Sequence, residues 1–165
     1  MIKIGIIGLG RIGKVHIKSI STKISSAKVV AAADPFLNDE MTAYAKEFGI
    51  ENLSKDYKDV LNNPEVDAVM VCSSTDTHAA ISVEAIKAGK HVFCEKPVDH
   101  SLEKIKLVED ELKITDSKIV GLPYLPKGAE FPKAPNGEEM LMIAQINCED
   151  LKGLKDFPQK GILQF

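Results

Sequence analysis

From Met1 to Lys113 short β-branched runs alternate with helical patterns, and that alternation constrains the fold more than any other feature of the chain. A strand that returns parallel to its predecessor needs a crossover helix, so this order implies an α/β fold, a Rossmann-type doubly wound parallel sheet. Strands are expected over Ile2–Ile7, Lys28–Ala33, Glu51–Leu53, Ala68–Cys72 and His91–Cys94. Helices are expected from about Arg11 to Ile20, over Asn38–Phe48 and over Lys55–Leu61. A fourth helix carries Ala79, Ala80, Val83 and Ile86 at three-to-four spacing, and Gly89 stops it. Leu102, Ile105, Val108 and Leu112 mark a fifth, with Lys106 and Asp110 spaced for an i,i+4 pair. The strands around Ile4, Val30, Ala68–Cys72 and Val92 should be parallel neighbours at the switch point of the sheet.

After Lys113 the texture changes, because five of the eight prolines lie between Pro123 and Pro158. The expected boundary therefore separates a nucleotide-binding domain, 1–113, from a short Pro-rich β segment, 114–165, with the character of a fragment. Met140–Ile146 and Gly161–Phe165 read as two strands that pair as a small β-unit. Two strands alone are marginal in water, so this unit is expected to lean on the first domain, self-associate into a homo-oligomer or fray. Lys118–Leu122 reads as a sixth strand confined to an edge, since Pro123 cannot donate to a ladder.

Composition excludes several classes. A net charge of −3 gives no electrostatic reason to expect nucleic acid or a membrane surface as partner. No apolar run approaches the ~20 residues a bilayer span needs. The apolar N-terminus is broken by Gly8 and Gly10 and followed by Arg11 and Lys14, unlike a signal peptide. Cys72, Cys94 and Cys148 form no C-x-x-C pair, so small buried thiols, no bound metal and a reducing cytoplasm are expected.

Gly8-Leu9-Gly10-Arg11-Ile12-Gly13 is a G-x-G-x-x-G run between an expected strand and an expected helix, the context a dinucleotide site requires. Gly8 permits a tight turn, Gly10 lets the backbone approach a pyrophosphate, and Gly13 allows close helix–strand packing. The helix N-terminus that begins at Arg11 and Ile12 then offers free N–H groups to the phosphates. Asp34, at the end of the second strand, can accept from both ribose hydroxyls and would repel a 2′-phosphate. No Arg or Lys follows it closely, which favours NAD over NADP; a turn-forming role before Pro35 is the alternative. Ser73, Ser74, Thr75 and His78 follow the fourth strand, and Glu95, Lys96 and Pro97 follow the fifth, at the carboxyl ends where such sheets bind ligands. Helix capping is the other reading of Ser73–Thr75, and a solvated side chain that of Lys96.

Together with Thr75-Asp76-Thr77-His78 and Ala88-Gly89-Lys90-His91-Val92-Phe93-Cys94-Glu95-Lys96-Pro97, the glycine motif resembles the glucose–fructose oxidoreductase/inositol dehydrogenase (Gfo/Idh/MocA) family, and within it the inositol 2-dehydrogenases. The resemblance covers Met1 to about Lys113. It implies an NAD-dependent oxidoreductase acting on a secondary alcohol of a polyol or sugar. It also implies a catalytic Lys96 beside the nicotinamide, bonding a substrate hydroxyl, with Ser73–Thr75 lining the cofactor and His78 and Glu95 belonging to the same cofactor-binding set. Family members continue into a larger α/β domain that supplies a catalytic Asp–His pair, and Ile114–Phe165 does not resemble it. Gly121–Gly128, Ala144–Asn147 and Phe157–Phe165 instead resemble the opening of the YwqG-like family. Three readings follow: a dehydrogenase, an NAD-binding module without catalysis, or a truncated fusion without function. Hydride transfer from an alcohol needs a base for the hydroxyl proton, and all four histidines (His16, His78, His91, His100) precede Lys113.

The Asp34 assignment is directly testable. Asp34→Ala should narrow the gap between NAD and NADP affinity by weakening the first and relieving repulsion of the second. Parallel titrations of both dinucleotides check this, and equal affinities in the unmodified chain would contradict the role given to Asp34.

Overall fold

In the computed structural model, strand β1 (Ile2–Ile7) lies at the centre of a parallel sheet because apolar side chains cover both of its faces. The structure describes residues 1–113, 116–119, 125–130, 132–138, 140, 144–151 and 158–164. They form two units, Met1–Glu111 and Leu112–Phe165.

In the first unit, β1 is followed by helix α1 (Arg11–Lys23), strand β2 (Ala27–Ala33), helix α2 (Asp39–Glu47), strand β3 (Asn52–Ser54) and helix α3 (Tyr57–Leu61). Strand β4 (Ala68–Val71), helix α4 (Thr75–Lys87), strand β5 (His91–Cys94) and helix α5 (Leu102–Asp110) complete it. The strand order is β3-β2-β1-β4-β5, and every pair is parallel. The chain runs outward from β1 to β3, then crosses back to β4, so the switch point lies between β1 and β4, as expected.

Alternation along the strands divides the core. Ile6, Val29 and Ala32 pack with Leu9, Ile17 and Ile20 on the α1 and α2 face. Ile7, Ala31, Val69 and Val71 pack with Val60, Ile81 and Ala85 on the α3 and α4 face. Gly13, Ile17 and Ile20 form the buried stripe of α1, at spacings of four and three. Burial of each isoleucine contributes about 1.5–3 kcal/mol.

Local chemistry sets the helix boundaries. Asn38 caps α2 by accepting the Met41 N–H at 2.9 Å. Asp56 caps α3 by accepting the Lys58 N–H at 2.9 Å, so that helix starts two residues later than expected. Helix α1 runs on to Lys23, whose charge favours the carboxyl end.

Three expectations need correction. The buried face of α4 is His78, Ala79, Ile81, Ser82 and Ala85, while Ala80 is exposed and Val83 and Ile86 are half-buried. That helix has apolar residues almost all round, and its sheet-facing side is chosen partly by His78, whose ring nitrogens meet backbone carbonyls. Helix α5 buries no residue fully, ends before Leu112, and leaves Leu102 81% exposed. Among the described residues its charges pair outside the expected i,i+4 couple, as Lys104–Asp99 at 3.4 Å and Lys87–Glu111 at 2.9 Å. The cysteines divide, with Cys148 buried and Cys72 and Cys94 only half-buried.

The second unit contains β6 (Lys118–Ile119), β7 (Ala144–Asn147) and β8 (Ile162–Gln164) in an antiparallel sheet ordered β6-β7-β8. The pairing of β7 with β8 agrees with expectation, but the sheet has three strands. Lys118–Ile119 belongs to it and not to the parallel sheet, because its partners are Gln145 and Ala144, which local sequence cannot announce. Residues 120–122 of that expected strand, and 141–143 and 165 of the other two, lie outside the described residues. Gln145, 1% exposed, donates to the Asp116 carbonyl at 2.9 Å and accepts from Gln164 Nε2 at 2.8 Å, so the centre of this unit is a bonded polar group.

The packing of α1 on the first turn makes a sharp test. A Cβ at Gly13 would stand 1.9 Å from the Gly8 carbonyl oxygen, a backbone atom that cannot swing aside. Replacing a helical glycine by alanine gains about 1 kcal/mol of propensity, whereas overpacking costs about 1–3 kcal/mol and here meets fixed backbone. Gly13→Ala should therefore lower the urea midpoint. An unchanged or raised midpoint would show that α1 is free to move.

A candidate dinucleotide site at the switch point

The site begins where β1 and β4 end side by side. Gly8 adopts φ +101°, and a Cβ there would lie 2.6 Å from the Cys72 carbonyl group and from the Ser73 nitrogen. Only glycine permits both that conformation and that approach. Gly10 occupies the N-cap of α1, and no side chain caps the first turn. A Cβ at Gly10 would meet nothing within 4 Å, so protein packing does not explain its presence. Open space beside uncapped N–H groups suits an incoming anion. Arg11 and Ile12 are exposed at that helix start.

Asp34 is 7% exposed and holds the neighbouring loop. Its Oδ2 accepts the Leu9 N–H at 2.7 Å and its Oδ1 accepts the Phe36 N–H at 2.8 Å. A carboxylate has about four acceptor positions, so two remain for ribose hydroxyls. The turn-forming and ligand-binding readings of Asp34 are thus compatible. A cavity of about 710 Å³ joins Gly8 and Asp34 to Ser73 and Ser74, within the ~300–1,000 Å³ range of small-molecule sites. Phe36, Lys55, Tyr57, Asp76 and Thr77 also line it, and the sequence reasoning missed them. Lys55 arrives from the loop before α3, a cation near Asp34 in space though distant in sequence. For Phe36 the available signal was an aromatic directly after the Asp34-Pro35 turn, and it is 80% exposed.

The Ser73–Thr75 segment opens helix α4, but no side chain caps the helix N–H groups there. Ser74 is the N-cap of α4, the Ser73 and Thr77 hydroxyls lie 2.7 Å apart, and Thr77 donates to the Ser74 carbonyl at 2.7 Å. His78, one turn on, is 3% exposed and does not line the cavity. Its Nδ1 lies 2.8 Å from the Pro97 carbonyl oxygen and its Nε2 2.9 Å from that of Ser73, so it joins the loops after β4 and β5.

Glu95 and Lys96 stand beyond the cavity, at the end of β5. Glu95 Oε1 meets His16 Nε2 at 2.7 Å, and this bond is the main reason its carboxyl sits below the ordinary range. His16 lies three residues after Gly13, on the same helical face, which is the sequence signal that could have revealed it. The Lys96 side chain is exposed, and the Lys96–Pro97 peptide is cis. His91 and His100 are exposed, the first at the amino end of β5, away from the crevice. Burial pushes the Cys72 thiol up to about 12 and raises that of Cys94, so neither is a thiolate nucleophile at neutral pH. Among the described residues no helix is long and apolar enough to cross a membrane.

Gly10 separates folding from binding. Gly10→Ala should change stability by less than about 1 kcal/mol, since an N-cap exchange is small and nothing is struck. It should weaken NAD about tenfold or more, because the added methyl enters the path of the pyrophosphate. Denaturation and NADH fluorescence titration check the two halves, and unaltered NADH affinity would remove the phosphate from this turn.

Comparison with known proteins agrees with this geometry. Residues 2–120 match the family described as an oxidoreductase family with an NAD-binding Rossmann fold, GFO_IDH_MocA. Residues 117–165 match a domain of unknown function, DUF1963. The chain is 38% identical over 114 residues to a myo-inositol 2-dehydrogenase of Thermotoga maritima, covering 69% of this chain and 34% of that enzyme. It is equally similar to an NAD-dependent scyllo-inositol 2-dehydrogenase of Bacillus subtilis, over 69% of this chain and 33% of the relative. A scyllo-inositol dehydrogenase from Lactobacillus casei, solved with NAD(H) and scyllo-inositol, superposes with a TM-score of 0.63 at 40% identity, covering 67% of this chain and 32% of that one. The chain thus spans about a third of the length of these relatives. Through its first 120 residues it belongs to the Gfo/Idh/MocA oxidoreductase family, of which it carries the NAD-binding Rossmann domain.

Proposed function

We propose that this chain is an NAD(H)-holding module derived from a polyol or sugar dehydrogenase, and that by itself it turns over no substrate appreciably. The observation that carries the reading is the open Gly10 turn beside the cavity of Asp34 and Ser73–Ser74. In this reading the first turn of α1, from Gly10 through Arg11 and Ile12 to Gly13, receives the pyrophosphate. Asp34 accepts from the adenosine ribose, Ser73–Thr75 border the dinucleotide, and Lys96 reaches the nicotinamide end. Bound NAD supplies a hydride acceptor for a secondary alcohol. The protein must supply a base and walls that hold the alcohol. His16 is bonded to Glu95, both nitrogens of His78 face carbonyls, and His91 and His100 are exposed. General-base catalysis is worth ~10²–10⁴-fold and positioning several kcal/mol more, so turnover needs both beside the bound cofactor.

The domain division 1–113 and 114–165 is supported by the break between units at Glu111 and Leu112 and by the change of family near residue 117. That second match also favours a rival reading, a truncated fusion whose Rossmann unit folds but serves nothing. A cytoplasmic setting rests on the three free cysteines, and self-association of the β-unit stays part of the proposal. Two assays on the full chain separate these readings. NADH fluorescence titration should show micromolar binding, and saturating NAD with myo-inositol should yield no NADH above background. Absent binding would leave the fusion without function. Turnover near that of an ordinary dehydrogenase, abolished by Lys96→Ala, would show that Lys96 suffices without a histidine.

A further inference from the structure

Lys96 is flanked by two residues that are each held by a histidine, and the two histidines come from opposite faces of the sheet. Ahead of it, Glu95 Oε1 meets His16 Nε2 at 2.7 Å, from helix α1. The other oxygen of that carboxylate accepts the Lys96 backbone N–H at 3.2 Å. Behind it, the Pro97 carbonyl lies 2.8 Å from His78 Nδ1, on helix α4. Helix α1 packs on one core face through Ile17 and Ile20, and α4 on the other through Ile81 and Ala85. The Lys96 side chain itself is exposed.

Each tie leads to a different wall of the crevice. His16 belongs to the helix that the glycine-rich turn opens, so it links Glu95 to the phosphate side. His78 Nε2 also lies 2.9 Å from the Ser73 carbonyl oxygen, which brings Pro97 beside the loop after β4. A lysine ammonium on four flexible carbons has many rotamers and can be aimed only from a fixed backbone. Fixing both flanks while leaving the side chain free is the arrangement that task needs.

We propose that His16 and His78 are positioning residues for Lys96, a two-sided clamp on residues 95–97 that ties the lysine to both cofactor-facing loops. The proposal rests on the reading of Lys96 as the nicotinamide-side residue. His16 acts through a charge-assisted bond to the Glu95 carboxylate, and His78 through a ring N–H donated to the Pro97 carbonyl. Neither touches the reacting atoms. Histidines that only stabilised the fold would, on removal, loosen the domain as a whole. The clamp confines the loss to residues 94–98.

Hydrogen–deuterium exchange of the full chain without ligand reads that difference. His16→Leu and His78→Leu should speed exchange in 94–98 about tenfold, the effect of losing one strong bond, with β1 and β4 amides unaltered. His16→Gln, which keeps a donor toward Glu95, should restore protection. Should a buried leucine at position 78 prevent folding, His16→Leu and Glu95→Ala decide the matter at partly exposed positions. Exchange that stays native in 94–98, or that rises equally in β1 and β4, overturns the clamp. A second readout separates it from the functional reading: the ¹³C-dimethyl signal of reductively methylated Lys96, assigned by its loss in Lys96→Arg. NAD should shift that signal in the native chain, and the shift should fall by about half or more in the leucine variants at saturating NAD. A native signal that NAD leaves unmoved, beside local loosening by exchange, overturns the nicotinamide role of Lys96 and leaves the clamp standing.

Discussion

Helix α1 starts where it does because Gly13 lets its backbone rest against the carbonyl of Gly8, with no room between them for a methyl group. That contact aims the helix N-terminus at the ends of β1 and β4. Because β2 and β3 extend one side of β1, and β4 and β5 the other, the helix end opens onto the switch point. Asp34 locks the same turn from the second strand through the Leu9 N–H. The crevice, its cavity and its free N–H groups are consequences of a few backbone contacts that glycine alone permits.

Much of this was legible in the sequence because it is local. Four of the parallel strands, β1, β2, β4 and β5, announce themselves as short apolar runs, whereas β3, Asn-Leu-Ser, carries no β-branched residue and lies one position beyond the expected Glu51–Leu53; the glycine spacing fixes where the first helix must begin. Asp34 was marked out by its distance from Gly13, and the structure places it on the cavity wall. What stayed hidden depends on partners remote in the chain. Lys55 reaches the cavity of Asp34 only through the pairing of β2 with β3. The bonds from His16 to Glu95 and from His78 to Pro97 span 79 and 19 residues. Lys118 and Ile119 looked like one more strand of the first sheet, yet only the position of β7 determines which sheet receives them. The inward face of α4 was misread because His78 and Ser82 face inward where the apolar spacing pointed to Val83 and Ile86.

The two units answer different physical problems. The first buries continuous apolar strands on both faces and has two cores to do so. The second is a three-stranded sheet whose centre holds Gln145, satisfied by Asp116 and Gln164, and it matches a different family. A cofactor half and a substrate half are separable in principle, since every residue assigned to the dinucleotide lies before Lys113. Binding and turnover therefore become separate properties of this chain. In the proposed reading the first needs only the turn, the cavity and the helix end, and the second needs a base and an enclosed substrate as well.

The most direct measurement is a crystal structure of the full chain soaked with saturating NAD. Pyrophosphate oxygens are expected within hydrogen-bond distance of the N–H groups at the start of α1, with one ribose at the Asp34 carboxylate and the nicotinamide end toward Lys96. Dinucleotide density elsewhere on the molecule, or none at saturation, would contradict this placement.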